Sequence, residues 1–135
     1  MIAVDTNVIA YLLIQGEHTA QAELVWIQDS EWAAPKLWRS EFRSIIALYL
    51  RQAYISLEDA RQLMGEAEAL MQGKEYEVAS DQVLNLVNSS RCSAYDCEFV
   101  AIALDLEVRL VTSDRKILTE FPNVAIRMQD FTLQS

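Results

Sequence analysis

The stretch SAYDCEFVAIALDLEVRLVTSD, residues 93–114, holds a helix, a strand and an acid directly beyond the strand. Ser93 to Leu106 has the apolar content and the opening cap of a helix, and Glu107 to Thr112 alternates as a strand. Asp114 then precedes a short helix over Arg115 to Glu120. The same parts recur at the amino end in MIAVDTNVIAYLLI, residues 1–14, where Ile2 to Val4 is a strand, Asp5 ends it, and Val8 to Ile14 begins a helix. Between these two segments the alternation continues. His18 to Gln28 is helical, Trp32 to Ala34 is a strand closed by Pro35, and Leu37 to Tyr54 spaces Trp38, Phe42, Ile45, Ile46 and Tyr49 as a helix does. Ser56, with Asp59 three residues on, opens a further helix through a capping box, and that helix stops near Gly73. Tyr76 to Ala79 is the third strand, Asp81 to Val87 a helix, and Val124 to Ile126 a last strand before the tail. Repeated β-then-α units predict a parallel sheet covered on both faces. The expectation is a single domain, residues 1–135, with a three-layer α/β/α sandwich and a central, mostly parallel sheet.

Composition narrows the class. At 135 residues, 52% hydrophobic and 23% charged, the chain can bury a proper core and is not a disordered segment. No apolar run approaches the roughly 20 residues of a membrane span, and the amino terminus lacks the pattern of a signal peptide, so a cytoplasmic protein is expected. Cys92 and Cys97 have neither redox nor zinc spacing and read as core or boundary thiols. The net charge of −9 argues against binding nucleic acid through a basic surface, unless the carboxylates hold cations that invert the local field.

In open parallel sheets, functional groups gather beyond the carboxyl ends of the strands. Asp5 and Asp114 both stand there, and Asp96, in the first turn of a helix, starts at the same edge. Each has an ordinary alternative. Asp5 can cap the first helix through Asn7, Asp114 can cap the helix at Arg115, and Asp96 can be the acidic member of a capping box with Ser93. Glu41, in PKLWRSEFRSIIALYL, lies between Leu37 and Ile45 on the margin of a buried stripe. A half-buried glutamate needs a partner, which is either an arginine such as Arg39 or Arg43, or a divalent ion shared with the aspartates. Oxygen ligands without histidine or thiol select Mg²⁺ or Mn²⁺. One such ion, or two about 4 Å apart, would activate water against a phosphate ester.

VDTNVIAYL, LWRSEFRSIIALY, SAYDCEFVAIALDL and RLVTSD together resemble the PIN-domain nucleases, and among them the VapC-type toxins of bacterial toxin–antitoxin pairs. The resemblance covers essentially the whole chain. It carries Asp5, Glu41, Asp96 and Asp114 onto the four acidic positions of the family, as catalytic and metal-binding residues. It implies a metal-dependent endoribonuclease using Mg²⁺ or Mn²⁺, in which a hydroxyl at Thr112 or Ser113 supports the site and Asn7 orients Asp5. It further implies an RNA substrate, a homodimer, no membrane, and a small antitoxin protein that lays a segment across the acidic site. The alternative within this family is a PIN-fold RNA-binding or assembly module with little or no catalysis.

Other readings fit less well. A haloacid-dehalogenase-like phosphatase needs a second aspartate at position 7, where Asn7 stands. A phospho-accepting receiver domain needs adjacent acids after the first strand, and Asp5 has no acidic neighbour. The single histidine, His18, reads as a surface or capping residue and excludes a two-histidine ribonuclease. Trp26, Trp32 and Trp38 read as core or dimer-contact residues rather than platforms for bases. Arg39, Arg43, Arg91 and Arg115 flank the acidic blocks and are candidates for phosphate contacts, with surface ion pairs as the alternative.

Overall fold

Five short strands form one sheet in the order β3-β2-β1-β4-β5, and every pairing in it is parallel. The computed structural model describes residues 1–133. The strands are β1 (Ile2–Val4), β2 (Trp32–Pro35), β3 (Glu75–Tyr76), β4 (Leu110–Val111) and β5 (Ala125–Ile126). Around them run α1 (Thr6–Leu13), α2 (Thr19–Gln28), α3 (Trp38–Arg51), α4 (Leu57–Leu70), α5 (Ser80–Asn88), α6 (Ala94–Leu106), α7 (Arg115–Glu120) and α8 (Met128–Thr132). The α/β/α arrangement matches the expectation. Helix α6 lies across β1, β2 and β4 with α5 against it, whereas α1 packs on α2, α3 and α4. Among the described residues no helix is long and apolar enough to cross a membrane.

Burial explains why β1 is central. Ile2, Ala3 and Val4 are all buried, as a strand covered on both faces must be, and β1 pairs with β2 on one side and β4 on the other. Trp32 and Trp38 are fully buried, and they join Phe42, Met71 and the apolar residues of α6 in the core. Trp26 packs edge-on against Trp32, with ring centroids 5.2 Å apart. The tryptophans are thus packing residues. Both cysteines are buried and free, and burial pushes the Cys92 thiol up to about 11. It is therefore not a thiolate at neutral pH.

Several boundaries differ from the sequence expectations. The third strand lies at Glu75–Tyr76, because β2 ends at Pro35, opposite Tyr76, and then turns into α3. Residues 77–79 have no strand to pair with there. Strand β4 is shorter than expected because Glu107 closes α6 in the left-handed conformation, at φ 56. Helix α3 ends at Arg51, and Ala53 adopts φ 59 beyond it. The tail beyond β5 forms α8, whose Met128 and Phe131 are buried. Gln28 donates to the Phe131 carbonyl at 2.9 Å and holds α8 against α2.

Candidate active site

Register builds the centre of the site. Val4 of β1 pairs with Val111 of β4, so the next residue of each strand, Asp5 and Thr112, arrives at the same level beyond the sheet edge. Both are buried, and Thr112 is fully so. The Thr112 hydroxyl donates to Asp5 Oδ2 and accepts from the backbone N–H of Asp114 at 3.0 Å. The backbone N–H of Val8 donates to Asp5 Oδ1 at 3.1 Å. Asp5 therefore caps α1 through Val8 rather than through Asn7. Among the described residues Asn7 makes no side-chain hydrogen bond, so Thr112 has the orienting role expected of Asn7.

The other acids reach the same place by different routes. Asp114 caps α7, accepting from Ile117 N–H at 2.9 Å, which leaves its second oxygen for other partners. Ser93 caps α6 by accepting from Asp96 N–H at 3.0 Å. The reciprocal half of that capping box does not form, so the Asp96 carboxylate is not consumed by the cap. Glu41, in the first turn of α3, accepts from the Thr6 hydroxyl at 2.7 Å. Asp5, Glu41, Asp96 and Asp114 all line one cavity of about 380 Å³, with Thr6, Asn7, Ser44, Ile45, Phe99 and Ile117. Four positions scattered over the chain thus share one space.

Among the described residues, none of the four acids forms an ion pair with lysine or arginine. Arg39, the expected alternative partner of Glu41, instead contacts Glu75 at 2.6 Å and Glu68 at 2.7 Å. Arg43 lines a groove between α3 and α4, and Arg115 lines a cavity with Thr112 and Ser113. None of the four flanking arginines lines the acidic cavity. Burial pushes the Asp5 carboxyl up to about 6, against the lowering effect of its bonds from Thr112 and Val8. Burial also raises Glu41, and the charge of Asp96 adds to the effect.

The chemistry of the donors fits a hard divalent cation, since all four side chains offer only carboxylate oxygen. They do not form a ready-made cage: among the described residues no three acidic, histidine or cysteine side chains are grouped to hold a metal. Lining one cavity is a looser condition than converging on one point. Each acid sits on a fixed backbone element, and side-chain rotation alone would have to bring them together. Thr6 is a support that the sequence reading missed. Its only signal is a hydroxyl beside Asp5 in the first turn of α1, which resembles any helix-opening threonine.

The family model described as PIN domain matches residues 2–125. Among solved structures, the chain is similar to the crystal structure of PAE2754 from Pyrobaculum aerophilum. The two are 19% identical with a TM-score of 0.76, over 98% of this chain and 94% of that one. At that identity the likeness concerns the fold. No curated protein matches the chain.

Proposed function

This chain belongs to the PIN-domain family, and from that premise we propose that it is a metal-dependent endoribonuclease, the toxin of a VapC-type toxin–antitoxin pair. PIN domains are typically nucleases that use divalent metal ions. The observation that carries the reading is the meeting of Asp5, Glu41, Asp96 and Asp114 on one cavity without a basic partner. A bound Mg²⁺ or Mn²⁺ would lower the pKa of a water and offset the charge of the phosphate. Asp5 is the most rigid of the acids, held by Val8 and Thr112. Thr6 engages one oxygen of Glu41 and leaves the other for the cation. Asp96 and Asp114 complete the set from α6 and the start of α7. Phe99 and Ile117 give the cavity an apolar wall, which strengthens charge interactions inside it.

The partners follow from the same reading. A homodimer is the assembly this reading expects. The groove between α3 and α4, lined by Ile46, Leu50, Ala60 and Met64, suits the apolar residues of a small antitoxin. Arginines of that segment would pair with the site carboxylates.

The test is cleavage of a mixed cellular RNA pool with Mg²⁺ or Mn²⁺, alongside a chelator and the Asp5→Asn and Asp96→Asn variants. Metal-dependent cutting that chelator and both substitutions abolish is the expected result. A folded wild type that cuts no more than the variants, across pools from several sources, would leave a binding module instead. Expression of the chain alone should arrest growth, and normal growth with active protein present would remove the toxin role.

A further inference from the structure

A second cavity, of about 230 Å³, adjoins the acidic one and shares Asn7 and Ile45 with it. Its other walls include Tyr11, His18 and Tyr49. The Tyr11 and His18 rings lie 4.6 Å apart, tilted by 43°. The Tyr49 ring lies 6.2 Å from that of Tyr54, which is 71% exposed. These rings differ from the tryptophans: Trp32 and Trp38 are wholly inside the core, whereas Tyr11 and Tyr49 are half-buried and His18 is exposed. The Tyr11 hydroxyl is hydrogen-bonded to Ser113 Oγ at 3.3 Å, which ties the ring to the connection that carries Asp114. Tyr49 follows Glu41 and Ile45 at helical spacing on α3, about 12 Å along the axis from Glu41. A single strand leaving the acidic cavity along α3 would thus meet aromatic faces within reach of its next base.

We propose that this cavity is a nucleobase subsite, in which the base next to the cleaved phosphate stacks against Tyr11, His18 and Tyr49. The proposal rests on the ribonuclease reading for its substrate. Stacking on aromatic faces is the usual means of holding unpaired bases. It also suits a chain of net charge −9, because it holds RNA through the base and needs no basic surface. The Asn7 amide lies on the wall between the two cavities and can hydrogen-bond a base edge.

The experiment titrates the four nucleoside monophosphates, and ribose phosphate as a base-free probe, into the metal-free full chain with isotope-labelled tyrosine rings. At least one nucleotide should shift the Tyr11 and Tyr49 ring signals by ring current and reach saturation, while ribose phosphate does not. Tyr49→Leu should weaken that binding by about tenfold, and Asp5→Asn should leave it intact. Equal shifts from ribose phosphate, no shift from any nucleotide, or undiminished binding by folded Tyr49→Leu would overturn the subsite. In cleavage mapping, Tyr49→Leu should still cut with metal but lose the wild type's nucleotide preference beside the cut. Failure of the nuclease reading looks different, since nucleotides would then seat in the cavity of a protein that cuts no RNA. Cutting whose nucleotide preference survives Tyr49→Leu would remove the subsite and leave the nuclease standing.

Discussion

Asp5 sits where burial and chemistry conflict. Its carboxyl is raised from 3.8 to about 6, chiefly by burial. An acid whose pKa is higher in the folded than in the unfolded state binds its proton more tightly when folded. That stabilisation is complete below about pH 3.8 and is lost as pH rises through about 6. The shift corresponds to on the order of 3 kcal/mol. Asp5→Asn removes the charge and keeps an oxygen to accept from Val8, and the Thr112 hydroxyl can turn to accept from the new amide. With chelator present, the variant should therefore unfold at higher urea than wild type at pH 8, and the gap should close toward pH 4. A variant less stable at every pH would show that the Thr112 and Val8 bonds to the carboxylate outweigh its desolvation. The acids themselves were legible in the sequence, because Asp5 and Asp114 stand beyond strand ends and Asp96 at a helix start on the same edge, where functional groups gather, and Glu41 sits on the margin of a buried stripe. Thr6, Tyr11 and Tyr49 were not, because a hydroxyl in a first helical turn and aromatic residues on amphipathic helices look like capping and packing.

At the scale of elements, helix starts aim the site. The Asp96 carboxylate rides on the first turn of α6, and the bond from Asp96 N–H to Ser93 Oγ caps that turn. Ser93→Ala should cost about 1 kcal/mol of stability and lower RNA cleavage beyond that loss, because the turn frays where the acid is carried. Ser93→Thr should restore both, and measured urea midpoints beside cleavage rates would check it. Equal cleavage by folded Ser93→Ala would mean that packing of Cys97 and Phe99 alone holds the turn. Helix α3 shows why arginines mislead. Arg39 grips Glu75 and Glu68, while Trp38 Nε1 donates to the same Glu75 at 2.7 Å, so the pair docks α3 on β3 rather than binding phosphate. No local pattern marks such a pairing, since the partners are 36 and 29 positions apart. Nor could periodicity find α8, whose five residues are held by α2 rather than by their own pattern.

The whole molecule is legible in outline because alternating β and α units in a chain of this size leave a parallel sheet as the simple solution. That sheet's carboxyl edge then collects whatever follows each strand. What the pattern could not supply is the balance of charge around that edge. The chain carries eleven basic side chains against twenty acidic ones. Lys36, Arg39 and Arg127 are in ion pairs, Arg109 is bonded to the carbonyls of Val124 and Ala125, and Lys74 is bonded to the Ser30 carbonyl. The remaining six, Arg43, Arg51, Arg61, Arg91, Arg115 and Lys116, lie outside the lining of the acidic cavity, so counterion release should contribute little to RNA affinity. Binding to a cleavage-resistant phosphorothioate RNA, followed by fluorescence anisotropy at fixed Mn²⁺, should give a log–log salt slope no steeper than about −2, as for two or three phosphates at about −0.7 each. The same affinity should depend strongly on the divalent ion and drop with chelator to what base stacking alone supplies, because only the metal turns the acidic cavity attractive to phosphate. A slope near −5 that persists without metal would mean several phosphates neutralised at once. RNA would then be held by basic residues outside the acidic cavity, with the cavity contributing little to affinity.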